Sequence, residues 1–549
     1  MSTNGLLKES KDGRKNVVIV GGGAAGMSCA ATLAQHPDKF NVTILERMSV
    51  VGGQATSISL DEEKYGTSWM NDGVQGGSPA FKHTLNFFRK YGHAEKEVKL
   101  QVAFGQGQDS FWTNCFPSQL VNQFSGDIKK FGKVLKIIKY TMPLLGLVPI
   151  RIMLRIFFFS KDFGDKMVFP LIALFLGTGN QTANVCCAIL ERLFDDPNMK
   201  LWDYDPETLL PNLPLMVTFP RLETFYSDWA ADLKSKGVTI RTNTDVVSIL
   251  SRDSKSGIRL QTAPFDPEDK KRDGDGLGMQ NKNPAATTEQ YDELVMCVLA
   301  DDAKKLLGKT STWKERFVLG GAKFFDDITI THSDSAYFQK NFETVYSDEL
   351  CAKPKSKQQE EQIAFAKNEQ PGPENEPGGY RPMYYTHSYK EDMRKIEMAF
   401  DCTNYQHQFR QDPSSPPAPD KSPVPYENHV FQSIFLDKTH SHLWTIDDID
   451  ESKIIERKWW HQLGHRWQHY VRVVPNMMFI NRPGSNTHTT FAGSWTLVNM
   501  HEMACVSGIA AAYRLGAEYE VFDDLAEDLL KKYLLISHGV FYKGGKKKA

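Results

Sequence analysis

The chain has 549 residues, 41% of them hydrophobic and 11% aromatic, which is enough to build two large domains around a substantial core. Its net charge of −2 lacks the basic excess typical of nucleic-acid-binding proteins, so we expect no nucleic-acid partner. Eight cysteines lie scattered without a CxxC pair, which favours free thiols in a reducing compartment. Residues 1–15 are polar and do not resemble a secretory signal. We therefore expect a protein that is not secreted, and that is cytoplasmic or peripheral on an intracellular membrane.

The first predicted elements are a strand, a glycine turn and a helix. Residues 17–20 form a short β-branched run that is typical of a buried parallel strand. Gly21, Gly23 and Gly26 follow at once in G-x-G-x-x-G spacing, and the small residues of 24–35 predict a helix. In such a motif the first glycine permits the tight turn and the second lets the main chain approach a pyrophosphate. The third lets the helix pack closely on the sheet.

A second predicted strand, 41–45, ends on Glu46, twenty positions after Gly26. An acid at this distance accepts hydrogen bonds from a ribose, while the helix N-terminus at Ala24 and Ala25 faces the phosphates. The glycine spacing alone would be weak evidence. Its position between a strand and a helix, with the acid at the right distance, predicts a dinucleotide site.

The residues after Glu46 indicate which dinucleotide is bound. Arg47 is followed by a four-residue spacer and the glycine pair Gly52 and Gly53. This pattern resembles the second fingerprint of FAD proteins of the amine oxidase and phytoene desaturase superfamily. The resemblance implies that backbone N–H groups of the glycine pair lie against the diphosphate and ribityl chain of FAD. Gln54 departs from the family, which usually has Arg or His there, and an ordinary glycine turn is the alternative interpretation.

A mid-chain segment extends the resemblance. Its predicted elements, in chain order, are one helix and four strands: 223–236, 238–241, 243–249, 257–262 and 291–300. The segment resembles the returning part of the family's FAD domain. There the valine that matches Val246 contacts the adenine side through its backbone.

The last motif lies near the C-terminal end of the chain, where a strand is followed by a helix of small residues. It resembles the family's closing motif. The resemblance assigns five residues to the flavin end of the site: Gly493, Ser494, His501, Glu502 and Met503. A helix start here offers free N–H groups and a positive dipole end to the flavin edge that becomes anionic on reduction. Ser494 replaces the acid of many relatives, and no cysteine lies just before Phe491 for a thioether link to flavin.

His501 is the one titratable residue that we name as a candidate catalytic group. Near the pyrimidine edge of a flavin it could serve as an acid, a base or an electrostatic stabiliser. A helix-capping or packing role is the alternative.

Segment 127–177 combines basic and apolar residues. Lysines interleave with apolar residues up to position 139, and apolar runs follow. Arg151, Arg155, Lys161 and Lys166 interrupt every run that could cross a membrane. Two interpretations remain: buried helices that cover a flavin pocket, or a face that makes peripheral contact with a membrane. Both favour a hydrophobic substrate.

His461, His465 and His469 would share one face of a helix. Three imidazoles could bind a transition metal, but ligands spread over two turns diverge along the axis. No cluster of Cys or acidic residues accompanies them in the sequence, and the surrounding Trp and Tyr residues favour a packed helix. We therefore predict no metal site.

The motifs predict an α/β protein with a Rossmann-type, glutathione-reductase-like FAD-binding domain of amine-oxidase architecture. An α+β substrate domain is interleaved with it. The predicted FAD-binding domain comprises 14–80, 215–310 and 485–535, the substrate domain 81–214 and 311–484, and the tails 1–13 and 536–549. Three polar stretches, 264–290, 352–382 and 410–427, are expected to be loops or insertions.

One dinucleotide fingerprint without a second for NADPH favours an FAD-dependent oxidoreductase that takes hydride directly from its substrate. The reaction would desaturate or dehydrogenate a hydrophobic or lipid-like small molecule. An alternative is a redox-neutral isomerase that moves a double bond in a fatty acid or polyene. A non-catalytic flavin-binding protein is a third interpretation. The sequence does not define the oligomeric state.

Overall fold

The structure is a computed structural model that describes residues 13–253, 257–265, 286–369, 378–410, 424–482, 487–544 and 546–547. The three polar stretches predicted as loops lie partly outside these ranges. Within them the loop prediction is wrong twice, because Thr287–Tyr291 is a strand and Lys357–Ala366 is a helix. The helix forms because Ser356 caps its N-terminus and the Lys, Glu, Gln and Ala that follow are good helix formers.

Five parallel strands form the central sheet around the glycine motif. In spatial order they are Thr239–Arg241, Phe40–Leu45, Lys15–Val20, Glu293–Met296 and Thr489–Phe491, and we call this the nucleotide sheet. The strand predicted over 291–300 instead ends at Met296, and the helix Ala300–Leu307 follows it.

The strand Lys15–Val20 is buried on both faces. Val17 and Ile19 belong to one hydrophobic cluster together with the helix Ala24–Leu33. Val18 and Val20 belong to a second cluster, on the other face of the sheet. An antiparallel sheet covers that second face, and its strands are Thr244–Asp253, Gly257–Pro264 and Thr287–Tyr291.

A seven-stranded mixed sheet forms the second layer of the molecule, and we call it the roof sheet. In spatial order its strands are Ile454–Leu463, Phe324–His332, Phe431–Phe435, Ile396–Asp401, Tyr384–Ser388, Val102–Phe104 and Trp112–Thr113. Three small sheets complete the described strands: Gly76–Gly77 with Leu215–Thr218 and Lys96–Lys99; Ser57–Ser59 with Trp69–Asn71; and Glu520–Val521 with Lys546–Lys547.

Segment 127–177 forms short helices rather than one long helix. In and around it the helices are Gln119–Gln123, Ser125–Tyr140, Met142–Leu145, Ile150–Ile156, Lys161–Phe163, Gly164–Val168, Phe169–Leu176, Gly179–Asn184 and Ala188–Phe194. Within the described residues, no helix combines the length and the apolar character needed to cross a bilayer.

The other α-helices flank the two large sheets. They are Glu62–Tyr65, Lys82–Lys90, Leu222–Ser235, Trp313–Leu319, Ser335–Asn341, Cys402–Tyr405, Met477–Ile480, His501–Leu515 and Asp524–His538. Single 3-10 or π turns are Gly308–Thr310, His407–Phe409, Tyr426–Asn428, Lys438–Leu443, Ile446–Asp448, Glu451–Lys453, His469–Val473, Val474–Asn476 and Ser494–Thr496.

The prediction that the three histidines share one helix is wrong. His461 lies in the strand Ile454–Leu463, which pairs antiparallel with Phe324–His332. His469 begins a separate π turn. The β-branched and aromatic residues of the strand favour a pleated surface, and this preference outweighs the four-residue spacing of the histidines.

Two helices from opposite ends of the chain cross in close contact. Ser28 Oγ, on helix Ala24–Leu33, donates to the carbonyl oxygen of Cys505 at 3.0 Å. A Cβ added to Gly508 would lie 2.0 Å from the carbonyl oxygen of Ala25. The helix His501–Leu515 can therefore approach this closely only because residue 508 has no side chain.

Replacing Gly508 with alanine is expected to lower the free energy of unfolding by about 1–3 kcal/mol, because the new Cβ forces the two helices apart. Urea unfolding measures the change. Gly126→Ala is the matched control, since Gly126 is helical and a Cβ there meets no atom within 4 Å. That control is expected to unfold at the same urea concentration or a higher one. Equal stability of the two variants would contradict the close crossing.

Candidate functional site

The glycine turn is fixed by main-chain contacts that leave no room for side chains. Gly21 has φ +102°, and a Cβ there would lie 2.8 Å from the carbonyl oxygen of Cys297. A Cβ on Gly26 would lie 2.0 Å from the carbonyl oxygen of Gly21. The helix therefore starts directly at the carboxyl end of the central strand. Its N-cap, Gly23, has no side chain to bond the first N–H groups.

Glu46 ties the second strand to the glycine turn. Its carboxylate accepts the Gly22 N–H at 2.7 Å through Oε2 and the Met48 N–H at 2.8 Å through Oε1. Each oxygen keeps a further acceptor position that a ribose hydroxyl could use. The predicted acid thus lies directly beside the predicted glycines.

The second glycine pair lies against the first glycine turn. The Gly52 N–H donates to the carbonyl oxygen of Gly22 at 2.9 Å. A Cβ on Gly53 would lie 3.2 Å from Cα of Gly23, so two main chains face each other without a side chain between them. Gly53 and Gln54 are exposed, as is Arg47. We call these opposed turns the glycine cradle.

Val246 lies next to the cradle. It is buried in the strand Thr244–Asp253, which begins where the Thr244 N–H donates to the carbonyl oxygen of Glu46 at 2.9 Å. The structure thus brings together the predicted residues from the N-terminal and mid-chain motifs.

The C-terminal helix begins with a buried polar network. The hydroxyl of Tyr226 lies 2.7 Å from Nε2 of His501, and the hydroxyl of Thr84 lies 3.0 Å from Nδ1. Burial lowers the pKa of His501 to about 4, so the ring is neutral at neutral pH. A neutral imidazole has one donor and one acceptor nitrogen, and the two hydroxyls can satisfy both.

Glu502 anchors a neighbouring helix rather than facing open space. Its carboxylate accepts the backbone N–H groups of His83 at 3.0 Å and Thr84 at 2.8 Å, and lies 2.7 Å from Nδ1 of His83. Burial alone would raise the pKa of Glu502, but the His83 ring and these hydrogen bonds lower it. Met503, the next residue, is fully buried.

Hydrogen bonds hold the residues before the helix in place. Gly493 has φ +139°, and its N–H donates to the hydroxyl of Ser507 at 2.8 Å. The hydroxyl of Ser494 donates to Oδ1 of Asn499 at 3.0 Å. Asn499 in turn donates to Oε1 of Gln462, on the roof sheet, at 3.0 Å. The loop before the helix therefore joins the nucleotide sheet to the roof sheet.

Gln462 also lines a small cavity. Asp327, Gln181 and Asp437 contribute polar groups to its wall. Asp327 accepts the Asp437 N–H at 2.8 Å through Oδ1, while Oδ2 has no hydrogen-bond partner among the described residues. Burial raises the pKa of Asp327 to about 8. The cavity thus offers a protonated carboxyl group to a small polar atom.

His461, His465 and His469 do not converge on one site. His461 lies between Asp301 and Asp326, with ring nitrogens 3.0 Å and 2.6 Å from their carboxylates. The hydrogen bond to Asp301, with that to Asp326, raises the pKa of His461 to about 9. His465 and His469 are buried, and His469 Nε2 lies 2.9 Å from the carbonyl oxygen of Leu497. The described part of the chain has no group of three or more metal-ligating side chains in binding geometry.

Sequence reasoning missed Tyr226, Thr84 and His83. Tyr226 lies on helix Leu222–Ser235, which was predicted over 223–236, but its spacing there resembles that of any core residue. Thr84 and His83 belong to a segment with no motif. Only the tertiary fold brings them to the start of the C-terminal helix.

Comparison with known proteins agrees with this geometry. Residues 19–89 match the family model of the NAD(P)-binding Rossmann-like domain. No curated protein sequence is significantly similar to the chain.

Three solved structures share the fold over nearly their whole lengths. A CLA-producing fatty acid isomerase from P. acnes has a TM-score of 0.53 and 12% identity, with 91% of this chain and 99% of that chain covered. A protein from Exiguobacterium sp. 255-15 assigned as protoporphyrinogen oxidase has a TM-score of 0.52 and 12% identity, covering 91% and 98%. A triple mutant of putrescine oxidase has a TM-score of 0.53 and 9% identity, covering 91% and 98%. At these identities the likeness shows the fold alone.

The chain has the fold that these three solved structures share. Its Rossmann-type parallel sheet carries the dinucleotide motif, and a second, mixed sheet lies beyond it. The predicted fold class and the predicted family resemblance are therefore confirmed. The predicted domain boundaries remain a prediction.

Buried histidines predict a loss of stability in mild acid. Burial lowers the pKa of five of them, to about 3 for His332, His465 and His538 and to about 4 for His469 and His501. In the unfolded chain the pKa of histidine is about 6.5. Between about pH 6.5 and pH 4 the unfolded chain therefore binds more protons than the folded chain, and the free energy of unfolding falls as the pH falls.

Urea unfolding at a series of pH values measures this slope. Both ring nitrogens of His538 are buried without a hydrogen-bond partner in the described ranges. His538→Gln should therefore flatten the slope, because the difference in bound protons between the unfolded and the folded chain falls by up to about one. His442→Gln, at an exposed position, is the control and should leave the slope unchanged. If the free energy of unfolding stayed constant from about pH 7 to about pH 5, that result would contradict neutral buried rings.

Proposed function

We propose that the protein is an FAD-dependent oxidoreductase that desaturates or dehydrogenates a hydrophobic substrate by hydride transfer to flavin. The observation that carries the proposal concerns Tyr226. A Cβ on Gly52 would lie 3.2 Å from its ring, and its hydroxyl lies 2.7 Å from His501. One side chain thus connects the glycine cradle with the start of the C-terminal helix. This is the arrangement that one extended dinucleotide with a reactive ring at one end requires.

The residues of the cradle fit FAD. The main chains of Gly23 and Gly53 face each other without side chains, and the uncapped helix N-terminus at Ala24 and Ala25 favours phosphate. Glu46 would accept a ribose hydroxyl. The remaining residues that we propose to hold the cofactor are Gly21, Gly26, Arg47, Gly52, Gln54, Val246, Gly493, Ser494, His501, Glu502 and Met503. When bound, FAD supplies the hydride acceptor.

His501 is our proposed catalytic residue, in a neutral form. Because burial lowers its pKa to about 4, the ring is neutral and does not act as a cation. Tyr226 and Thr84 fix the orientation of the ring from both sides. Glu502 holds the helix that carries Thr84, so it supports this orientation indirectly.

We propose a hydrophobic substrate because aromatic rings pack between the helical segment and the roof sheet. Phe175 contacts Trp202 with ring centroids 3.9 Å apart, and Tyr384 with centroids 6.0 Å apart. Tyr384 contacts Tyr405 at 5.0 Å. Asp327, in the small cavity that Gln462 also lines, would bind a polar end group of such a substrate.

A second candidate is a redox-neutral double-bond isomerase of a fatty acid or polyene. It uses the same site, with hydride removed from the substrate and returned to another carbon. The observation in its favour is the shared fold with the fatty acid isomerase. The two candidates differ in whether an electron acceptor is consumed.

An anaerobic substrate screen tests the proposal. Amines, alcohols and unsaturated fatty acids are mixed with the flavin-containing protein, and the loss of flavin absorbance is followed. Substrate-dependent bleaching with consumption of an added acceptor supports the oxidoreductase. A shifted double bond without net acceptor consumption supports the isomerase. Absence of bleaching with every substrate class would favour a non-catalytic flavin protein.

Glu46→Gln is expected to weaken flavin binding about tenfold. The glutamine side chain places an NH₂ donor against a backbone N–H that needs an acceptor. Fluorescence titration of the flavin-free protein measures the dissociation constant. Glu62→Gln, a change to an exposed acid, is the control and should bind as the wild type does. Equal affinity of all three proteins would exclude Glu46 from the site.

His501→Asn is expected to slow flavin reduction by substrate about tenfold, through loss of one of the two hydrogen bonds to the ring. Stopped-flow absorbance measures the rate. In the wild type the rate should show no ionisation of His501 between about pH 5.5 and pH 8, because the ring is already neutral there. An unchanged rate in His501→Asn would end the proposed role of this residue.

A further inference from the structure

The three helices of segment 125–160 and the loop after them expose apolar side chains. The inner face of Ser125–Tyr140 is buried through residues such as Ile128, Phe131 and Leu135. The exposed apolar residues of the outer face are Ile137, Tyr140, Leu144, Ile152, Ile156 and Phe158. Leu144, Tyr140 and Phe158 are 78%, 85% and 88% exposed. Soluble proteins rarely expose so many large apolar groups in one short segment.

Two hydrogen bonds join residues 158–160 to helix Ser125–Tyr140. The ammonium group of Lys130 donates to the carbonyl oxygen of Phe158 at 2.8 Å. The hydroxyl of Ser160 donates to Oδ2 of Asp127 at 3.2 Å. Residues 158–160 therefore lie beside the first turns of Ser125–Tyr140.

Cations without partners accompany these apolar residues. Lys129, Lys133, Lys136, Arg151 and Arg155 are all exposed. None of the five forms an ion pair with a described carboxylate, whereas the nearby Lys139 pairs with Asp195. The outer face thus carries an uncompensated positive charge, and we call the five cations and six apolar residues together the basic-apolar face.

Phe158 is held outward by an unfavourable main chain. Its φ of +53° lies in the left-handed region that bulky residues rarely occupy. Such strain at a functional position is typically offset by the interaction it permits. In water, exposure of the ring and the strained main chain each raise the free energy of this segment. Insertion of the ring into an apolar medium would offset both costs.

We propose that the basic-apolar face docks on an anionic lipid bilayer. Clustered Lys and Arg residues are attracted to anionic headgroups, and exposed aromatic and aliphatic side chains enter the boundary between headgroups and acyl chains. A protein partner fits less well, because the centres of protein interfaces are depleted in lysine. The contact is peripheral, since no described helix can span the bilayer. The proposal goes beyond the proposed chemistry and supplies a source for a hydrophobic substrate.

Vesicle sedimentation of the full-length protein tests the proposal. The probes are vesicles of phosphatidylcholine alone and vesicles that also contain phosphatidylserine. We expect binding to the anionic vesicles and at least about tenfold weaker binding to the neutral ones. Raising the salt concentration from about 0.1 M to about 0.5 M should release most of the protein, because screening shortens the range of the attraction.

Two variants separate the apolar and the charged contributions. Phe158→Ala should weaken binding to anionic vesicles about tenfold, and the double variant Lys133→Glu and Lys136→Glu should abolish it. Phe541→Ala and Lys357→Glu are matched controls, because both residues are exposed elsewhere on the protein, and they should bind as the wild type does. Flavin content and urea midpoint are measured for every variant. Vesicle binding does not depend on the flavin, so its failure is distinguishable from failure of the proposed function.

Three results would overturn the proposal. The first is no binding to anionic vesicles at low salt, and the second is binding that the face variants leave unchanged. The third is a dimer in solution that Phe158→Ala disrupts, because the face would then be covered by a second copy of the chain. Anion-dependent binding that only the face variants lose would support the proposal.

Discussion

The close packing of helix Ala24–Leu33 against helix His501–Leu515 is the contact on which the site depends. It allows residues almost five hundred positions apart to share one site, because Gly508 lets the later helix reach the main chain of Ala25. The same absence of side chains recurs where Gly23 faces Gly53. Main-chain contact, which only glycine permits, therefore sets both the geometry of the cradle and its distance from the C-terminal helix.

Burial decides the chemistry of the groups around that contact. His501 and Glu502 are adjacent in sequence, yet the first is neutral and the second is charged. The difference follows from their partners, which are two hydroxyl groups for His501 and the His83 ring with two N–H groups for Glu502. In a buried setting each arrangement is rigid, because a broken hydrogen bond would leave a polar group without water.

Local signals explain which parts of the fold could be predicted from the sequence. The strand, glycine turn and acid of the first motif are contiguous, and their spacing is fixed by the chemistry of a dinucleotide. Tyr226 and Thr84 could not be predicted as site residues, because no local pattern distinguishes them from core residues. The prediction of one helix for the three histidines is wrong because the strand Ile454–Leu463 pairs with Phe324–His332. This pairing outweighs the four-residue spacing of the histidines. The strands of the roof sheet are distant from one another in the chain and carry no motif, so their arrangement could not be predicted either.

We propose that the glycine cradle and the start of the C-terminal helix together hold FAD. The most direct measurement is mass spectrometry of the small molecule released when the purified protein is denatured, with its amount compared with that of the chain. We expect FAD in an amount equal to that of the protein, released without proteolysis because no cysteine lies just before Phe491 for a thioether link. Release of NAD or NADP in that amount, or failure of added FAD to bind the protein, would contradict it.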